Sequence, residues 1–226
     1  MVSHESISIL SPAFCLLIFS YRMLIVVTVS LTKLLNKTNN LLNFRSTTHP
    51  RRKLVQSHKA YVGLGSNIGD RAANLLLAVR GMIDAGLNVS RLSAIYETEP
   101  TDDKEQPHFL NMVAELRINT PRPEQMMARL MRVEYALGRR RDHERLKGPR
   151  IIDLDLLLYG FEERNSQLLV LPHPRMHLRR FVLTPLFELE PRLVHPTLHR
   201  TIEELIQTVE DNSFVERWHP EHVKSY

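Results

Sequence analysis

Asp153 and Asp155 lie within the run Ile151-Ile152-Asp153-Leu154-Asp155-Leu156-Leu157-Leu158-Tyr159. A stretch this rich in branched apolar residues reads as a buried β-strand. Strand side chains alternate faces, so residues two apart point the same way and the two carboxylates stand side by side. Burying one unpaired carboxylate costs several kcal/mol, roughly, and a second one beside it adds repulsion. A divalent cation relieves both. Carboxylate oxygens suit Mg²⁺, which completes its shell with water and substrate phosphates. The competing reading is an edge strand whose inward charges discourage pairing.

Three other clusters bear on what that cation would serve. The loop Arg139 to Arg150 packs six cations into twelve residues: Arg139, Arg140, Arg141, Arg145, Lys147 and Arg150. It runs directly into the two-aspartate strand. Guanidinium groups beside a carboxylate-bound metal are what a polyphosphate needs. A second cluster holds His173, Arg175, His177, Arg179 and Arg180, with Pro172 and Pro174 stiffening the backbone around His173. Contact with phosphate through His173 and Arg179 fits this chemistry better than zinc, for which further soft ligands are missing. Phe109 and Asn111 share a strand face. An aromatic face and an amide two residues on could hold a flat heterocycle, although Phe109 reads equally well as core.

These groups need a scaffold, and its elements are legible. Ala60 to Gly65 reads as a short strand, and the following Gly63-Leu64-Gly65-Ser66-Asn67-Ile68-Gly69 as a tight strand-to-helix turn. Its G-x-G-x-x-x-G spacing is one residue too long for a dinucleotide fingerprint, leaving a phosphate cradle as the alternative. Asp70 caps a helix whose apolar face is Leu75, Leu76, Val79, Met82 and Ile83, stopped by Gly86. Val89–Tyr96 and Leu110–Ile118 read as strands able to pair as a hairpin across the polar loop 97–107. Pro123 opens a second helix carrying Met126, Met127, Leu130, Val133 and Leu137, ended by Gly138. After the Asp153 strand, helices are expected over Thr184–Leu189 and Ile202–Val209. The order β-α-β-β-α-β is that of an α+β, ferredoxin-like split βαβ sandwich with a C-terminal helical extension.

Composition narrows the partners. Residues 1–57 hold seven of the 30 Lys/Arg and one of the 25 acidic residues, so the remainder carries 23 and 24, a net of −1. The formal charge of +5 therefore belongs to the first 57 residues, and no general nucleic-acid surface is implied beyond them. With one cysteine, Cys15, no intrachain disulfide can form, and a reducing compartment, the cytoplasm, is expected. Residues 1–57 read as a dispensable leader ahead of a domain over 58–226. Their apolar part, Ile7 to Leu35, is broken by Pro12 and Arg22, which makes a membrane span marginal.

Together the motifs resemble the 6-hydroxymethyl-7,8-dihydropterin pyrophosphokinase family of folate synthesis. The matching elements run in order from Ala60 to Pro196. They are Gly63-Leu64-Gly65-Ser66-Asn67, Tyr96-Glu97-Thr98, Gln106-Pro107 with Phe109-Leu110-Asn111, Glu134, Gly138-Arg139, Gly148-Pro149-Arg150, Asp153-Leu154-Asp155, Pro172-His173, Arg179 with Phe181, and Pro185-Leu186-Phe187-Glu188. The Gly-Pro-Arg-x-x-Asp-x-Asp element is specific; the first glycines are not.

The resemblance implies a ferredoxin-like fold, acting as a monomer, that moves pyrophosphate from ATP to the pterin hydroxymethyl oxygen and releases AMP. It implies that Asp153 and Asp155 hold two Mg²⁺ ions, with Asp155 also beside the attacking hydroxyl. Arg139, Arg150, Arg141 and Arg145 resemble a cationic loop over the triphosphate. His173 and Arg179 would contact phosphates and Glu134 would lie at the nucleotide. Thr98, Phe109, Asn111 and Phe181 would form the pterin slot. Two departures stand out. Where the family has Arg-Trp-Gly-Pro-Arg, this chain reads Arg145-Leu146-Lys147-Gly148-Pro149-Arg150, without the tryptophan and one residue longer. Pro174 stands where an aromatic is common. The competing classes are a nucleotidyltransferase with an Asp-x-Asp metal site and a ferredoxin-like RNA binder, the latter disfavoured by the near-neutral domain.

Overall fold

The computed structural model describes residues 58–101, 104–120, 122–140 and 148–220. The expectations for residues 1–57, for Arg141 and Arg145, and for the lengthened segment before Gly148 fall outside the described residues. The elements are β1 (Lys59–Ser66), α1 (Arg71–Asp84), β2 (Asn88–Leu92), β3 (Tyr96–Thr98), β4 (Phe109–Arg117), α2 (Pro123–Ala136) and β5 (Asp153–Tyr159). A small hairpin of β6 (Arg164–Asn165) and β7 (Val170–Leu171) comes next, then a 3-10 turn (Met176–Leu178), α3 (Arg180–Leu189), α4 (Ile202–Thr208) and β8 (Val215–Arg217). The described residues form a mixed α+β arrangement with four helices and an antiparallel sheet. No helix among the described residues is long and apolar enough to cross a membrane.

Local signals set the helix ends. Asp70 Oδ1 accepts from Ala73 N at 3.0 Å, capping α1. Gly86 and Gly138, at φ +76 and +98, take the left-handed conformation just past α1 and α2. Thr201 and Glu204 form a reciprocal capping box at α4. On α1 the buried stripe is Leu75, Ala78, Val79 and Met82. Ile83, expected on that stripe, is 49% exposed, because one step of about 100° past Met82 carries it off the inner face.

The main path through the sheet is β5-β1-β4-β3-β8, with β2 also on β4. The strand expected over 89–96 is two. Ser93 N still donates to Val113 O at 2.9 Å, but Val113 N donates back to Ser93 Oγ at 2.9 Å, so a side chain replaces the backbone acceptor and the strand breaks there. The register also shifts between Val89 and Arg91. β3 then runs on through Glu97 and Thr98, in place of the expected loop. α3 begins at Arg180 rather than near Thr184, and β8 has no counterpart in the expected elements.

Alternation along β1 sorts the core. Ala60, Val62 and Leu64 pack with α1 and α2 residues on one face. Tyr61, with Val113 and Leu157, packs beneath α3 and α4 on the other. Gly63 and Gly65 share the Tyr61 face, where the functional residues gather.

Candidate active site

β5 begins at Asp153 and buries Leu154 and Leu156 against the α1/α2 face, which turns Asp153 and Asp155 to the opposite one. In register, Asp153 lies opposite Gly65 and Asp155 opposite Gly63. On the other side of β1, Gly65 is opposite Asn111 and Gly63 opposite Val113. The two glycines thus put no side chain between the carboxylates and β4, leaving a trough across the centre of the sheet. A Cβ at position 65 would stand 2.7 Å from Asn111 Oδ1. Only glycine fits there without displacing that amide.

Charge is dense along the trough. Arg139 Nη1 donates to both Asp153 Oδ1 and Glu134 Oε1. Glu134 Oε1 also accepts from Leu154 N at 2.8 Å, which locks α2 to the start of β5. Arg150 Nη1 is 3.3 Å from Asp153 Oδ2. Asp155 is pushed up to about 6 by burial first and then by Asp153; Arg179 and Arg150 pull the other way without cancelling it. Its side chain keeps 38% of its surface exposed. The upward direction comes first from burial and second from the like charge of Asp153.

His173 is pushed down to about 4 by burial and by Arg179 and Arg175. It is neutral at pH 7, so the 3.8 Å approach of its Nε2 to Asp155 Oδ2 is not an ion pair. Its Nδ1 accepts from Arg175 N at 3.2 Å, which assigns the ring proton to Nε2, facing Asp155.

Beyond the trough the cleft becomes aromatic. Asn111 Nδ2 donates to Thr98 Oγ1 at 2.8 Å, both residues being buried, so the amide is fixed in orientation. Phe109 and Phe181 are half-buried. The Arg150 guanidinium lies 5.4 Å from the Phe109 ring centre and that of Arg179 lies 5.4 Å from Phe181. Each ring is within cation–π range of an arginine of the trough. The continuous cleft of about 530 Å³ has room for a flat heterocycle in the slot and a polyphosphate over the carboxylates.

Residues 61–191 match the family model described as 7,8-dihydro-6-hydroxymethylpterin-pyrophosphokinase (HPPK). The chain belongs to this family. By that membership it is an enzyme, a pyrophosphokinase. It is 37% identical over 145 residues to the 2-amino-4-hydroxy-6-hydroxymethyldihydropteridine pyrophosphokinase of Aquifex aeolicus, covering 64% of this chain and 88% of that one. It is 37% identical over 158 residues to the folic acid synthesis protein fol1 of Pneumocystis carinii, covering 70% of this chain and about a fifth of the relative, 21%. The HPPK-DHPS of Plasmodium falciparum, solved as a triple mutant with pteroate, has a similar fold at TM-score 0.53 and 15% identity. That match covers 66% of this chain and 43% of the other.

Asp153, Asp155, Arg139, Arg150, His173, Arg179, Thr98, Phe109, Asn111 and Phe181 all line the one cleft. Glu134 is 2% exposed and sits behind Arg139, supporting the wall from within. Gly69 at φ +67 fits the reading of the glycine segment as a strand-to-helix turn.

One residue escapes a reading of the sequence. Asn67 is 2% exposed, and its Oδ1 accepts from Arg150 N at 2.7 Å while its own N donates to Arg150 O at 3.1 Å. Its Nδ2 donates to Gln106 Oε1 at 3.1 Å and Pro107 O at 3.3 Å. It joins the end of β1, the end of the basic loop and the approach to Phe109. The one signal for it is its place in the Gly-Leu-Gly-Ser-Asn element; nothing local announces an asparagine that bonds 83 residues away.

Proposed function

We propose that this chain transfers pyrophosphate from ATP to the hydroxymethyl oxygen of 6-hydroxymethyl-7,8-dihydropterin within folate biosynthesis. The pterin hydroxyl oxygen attacks the β-phosphorus and gives up its proton, the bond from that phosphorus to the α,β-bridging oxygen breaks, and AMP leaves with the electron pair. The observation that carries this reading is the junction of two compartments in one cleft. A carboxylate and guanidinium trough opens into a slot between Phe109 and Phe181.

Asp153 and Asp155 would hold Mg²⁺, two ions in this reading. The donors suit it: hard carboxylate oxygens share one face, and Asp155 is raised in part by its neighbour. Among the described residues no group of three or more His, Cys, Asp or Glu side chains is arranged for a metal, so water and phosphate oxygens would complete the shell. Bound Mg²⁺ supplies charge neutralisation on the phosphates. Arg139, Arg150 and Arg179 would hold phosphate oxygens, and Arg141 and Arg145 are assigned to the same group from their place in the basic run of the sequence. His173 offers its Nε2–H to the same group. Thr98 and Asn111 read the pterin edge while the two rings cover its faces. Little covalent work is asked of the protein beyond positioning and charge. We further assign the core to the ferredoxin-like βαββαβ class and the domain to residues 58–226. The order β5-β1-β4 with β2 and β3 on the far side of β4 supports the class.

The test is incubation with ATP, Mg²⁺ and the hydroxymethyl dihydropterin, with chromatography of the nucleotide pool. AMP is expected in step with diphosphorylated pterin, only when both substrates are present. ADP would mean a simple kinase, and free pyrophosphate a nucleotidyltransferase; either as primary product overturns the reading.

A further inference from the structure

The two walls of the aromatic slot come from distant parts of the chain. One wall is Thr98 at the end of β3, with Glu99 beside it and Phe109 at the start of β4. The other is the beginning of α3, with Arg179, Phe181 and Val182. Residues 211–217, beyond the span matched to the family, touch both.

Asp211 Oδ2 accepts from Arg180 N at 2.8 Å. That amide opens α3, where no side chain of the helix's own N-cap residue, Arg179, makes a capping bond. A carboxylate there satisfies an otherwise unused helix donor and complements the helix dipole. Asp211 Oδ1 accepts from Ser213 N at 2.9 Å, which turns the chain toward the other wall. Phe214 N then donates to Glu99 Oε1 at 3.0 Å, and the Phe214 and His108 ring centres are 6.1 Å apart. β8 pairs antiparallel with β3, Val215 opposite Thr98 and Arg217 opposite Tyr96. Trp218 N donates to Ile95 O at 2.9 Å, fixing the far end. This short segment thus straps the helix that presents Phe181 to the strand that presents Thr98.

We infer that Asp211–Arg217 is a positioning clasp that sets the spacing of the pterin slot, acting through the first turn of α3 on one side and β3 on the other. This inference rests on the pyrophosphokinase reading for its ligand. Slot width matters because stacking on both faces of a heterocycle falls away within a fraction of an ångström.

In Asp211→Ala, the KM for the pterin is expected to rise about three- to tenfold, the range one helix cap is worth. The KM for ATP should rise less than that for the pterin, because Arg179 at the same helix start is one of several groups assigned to the phosphates, and kcat should change less than about twofold. Asp211→Asn keeps one acceptor oxygen, for Arg180 N, but turns its NH2 toward Ser213 N, and should recover the pterin KM in part. Hydrogen exchange provides a readout that needs no ligand: in Asp211→Ala, amides of both 180–183 and 97–99 should exchange faster. Parallel weakening of pterin and ATP, or faster exchange confined to α3, overturns the clasp. If the wild-type protein takes no pterin, the pyrophosphokinase reading has failed, and the clasp then stands or falls on the exchange pattern alone.

Discussion

Gly65 and Asn111 face one another across β1 and β4 so closely that position 65 has no room for even one carbon beside the asparagine oxygen. The absent side chain holds Asn111 against Thr98 and simultaneously clears the ground in front of Asp153. One glycine therefore serves both the slot and the trough.

Gly65→Ala is expected to push the Asn111 amide out of its bond to Thr98. Overpacking of this kind costs about 1–3 kcal/mol, and much of that should appear as weakened pterin binding, about tenfold or more. Titration of the pterin in the presence of a non-hydrolysable ATP analogue measures it, with a thermal melt as control. Unchanged pterin affinity in a folded variant would refute the steric reading.

Asp155→Asn removes one of two like charges from the trough. Turnover should fall by a factor of about several hundred or more. The melting temperature without Mg²⁺ should hold or rise, since the carboxylate is under repulsion from Asp153. Calorimetry and steady-state kinetics read the two effects separately. Wild-type-like turnover at ordinary Mg²⁺ would sink the metal assignment.

Away from the cleft, Glu115 anchors a buried network with Lys59 at 3.0 Å, Ser90 at 2.7 Å and Arg91. Burial pushes its carboxyl up, but the Arg91 hydrogen bond and the charges of Lys59 and Arg91 outweigh it and hold it down to about 2, from 4.5. The folded state therefore releases this proton more readily than the unfolded chain. Its stabilisation is fully present above about pH 4.5 and is lost as the pH falls toward 2, on the order of 3 kcal/mol in all. Chemical denaturation across that window should show a shallower pH slope in Glu115→Gln than in wild type. Identical slopes would show that Glu115 does not carry the acid sensitivity.

Deleting residues 1–57 is expected to leave a folded, active domain. The basic excess ends there, and the span matched to the family begins only at residue 61. Differential scanning calorimetry of the shortened chain should show one cooperative transition. Its loss would make the segment structural.

Short-range rules alone determined a good part of this protein. The period of two in a strand is enough to put Asp153 and Asp155 on one face. Asp70, Gly86, Pro123 and Gly138 mark helix ends because capping and φ preferences act within a turn of chain. The tertiary structure alone decided what those groups face. Registers across β1 set Gly63 and Gly65 opposite the aspartates, and nothing within either segment encodes that pairing. Asn67 reaches Arg150, Ser93 interrupts a strand by bonding across to Val113, and β8 closes onto β3, each through partners many residues away. Local sequence carries conformational preference, whereas register and burial follow from the competition of all segments for one core. That competition turned two carboxylates on a strand into the floor of a cleft.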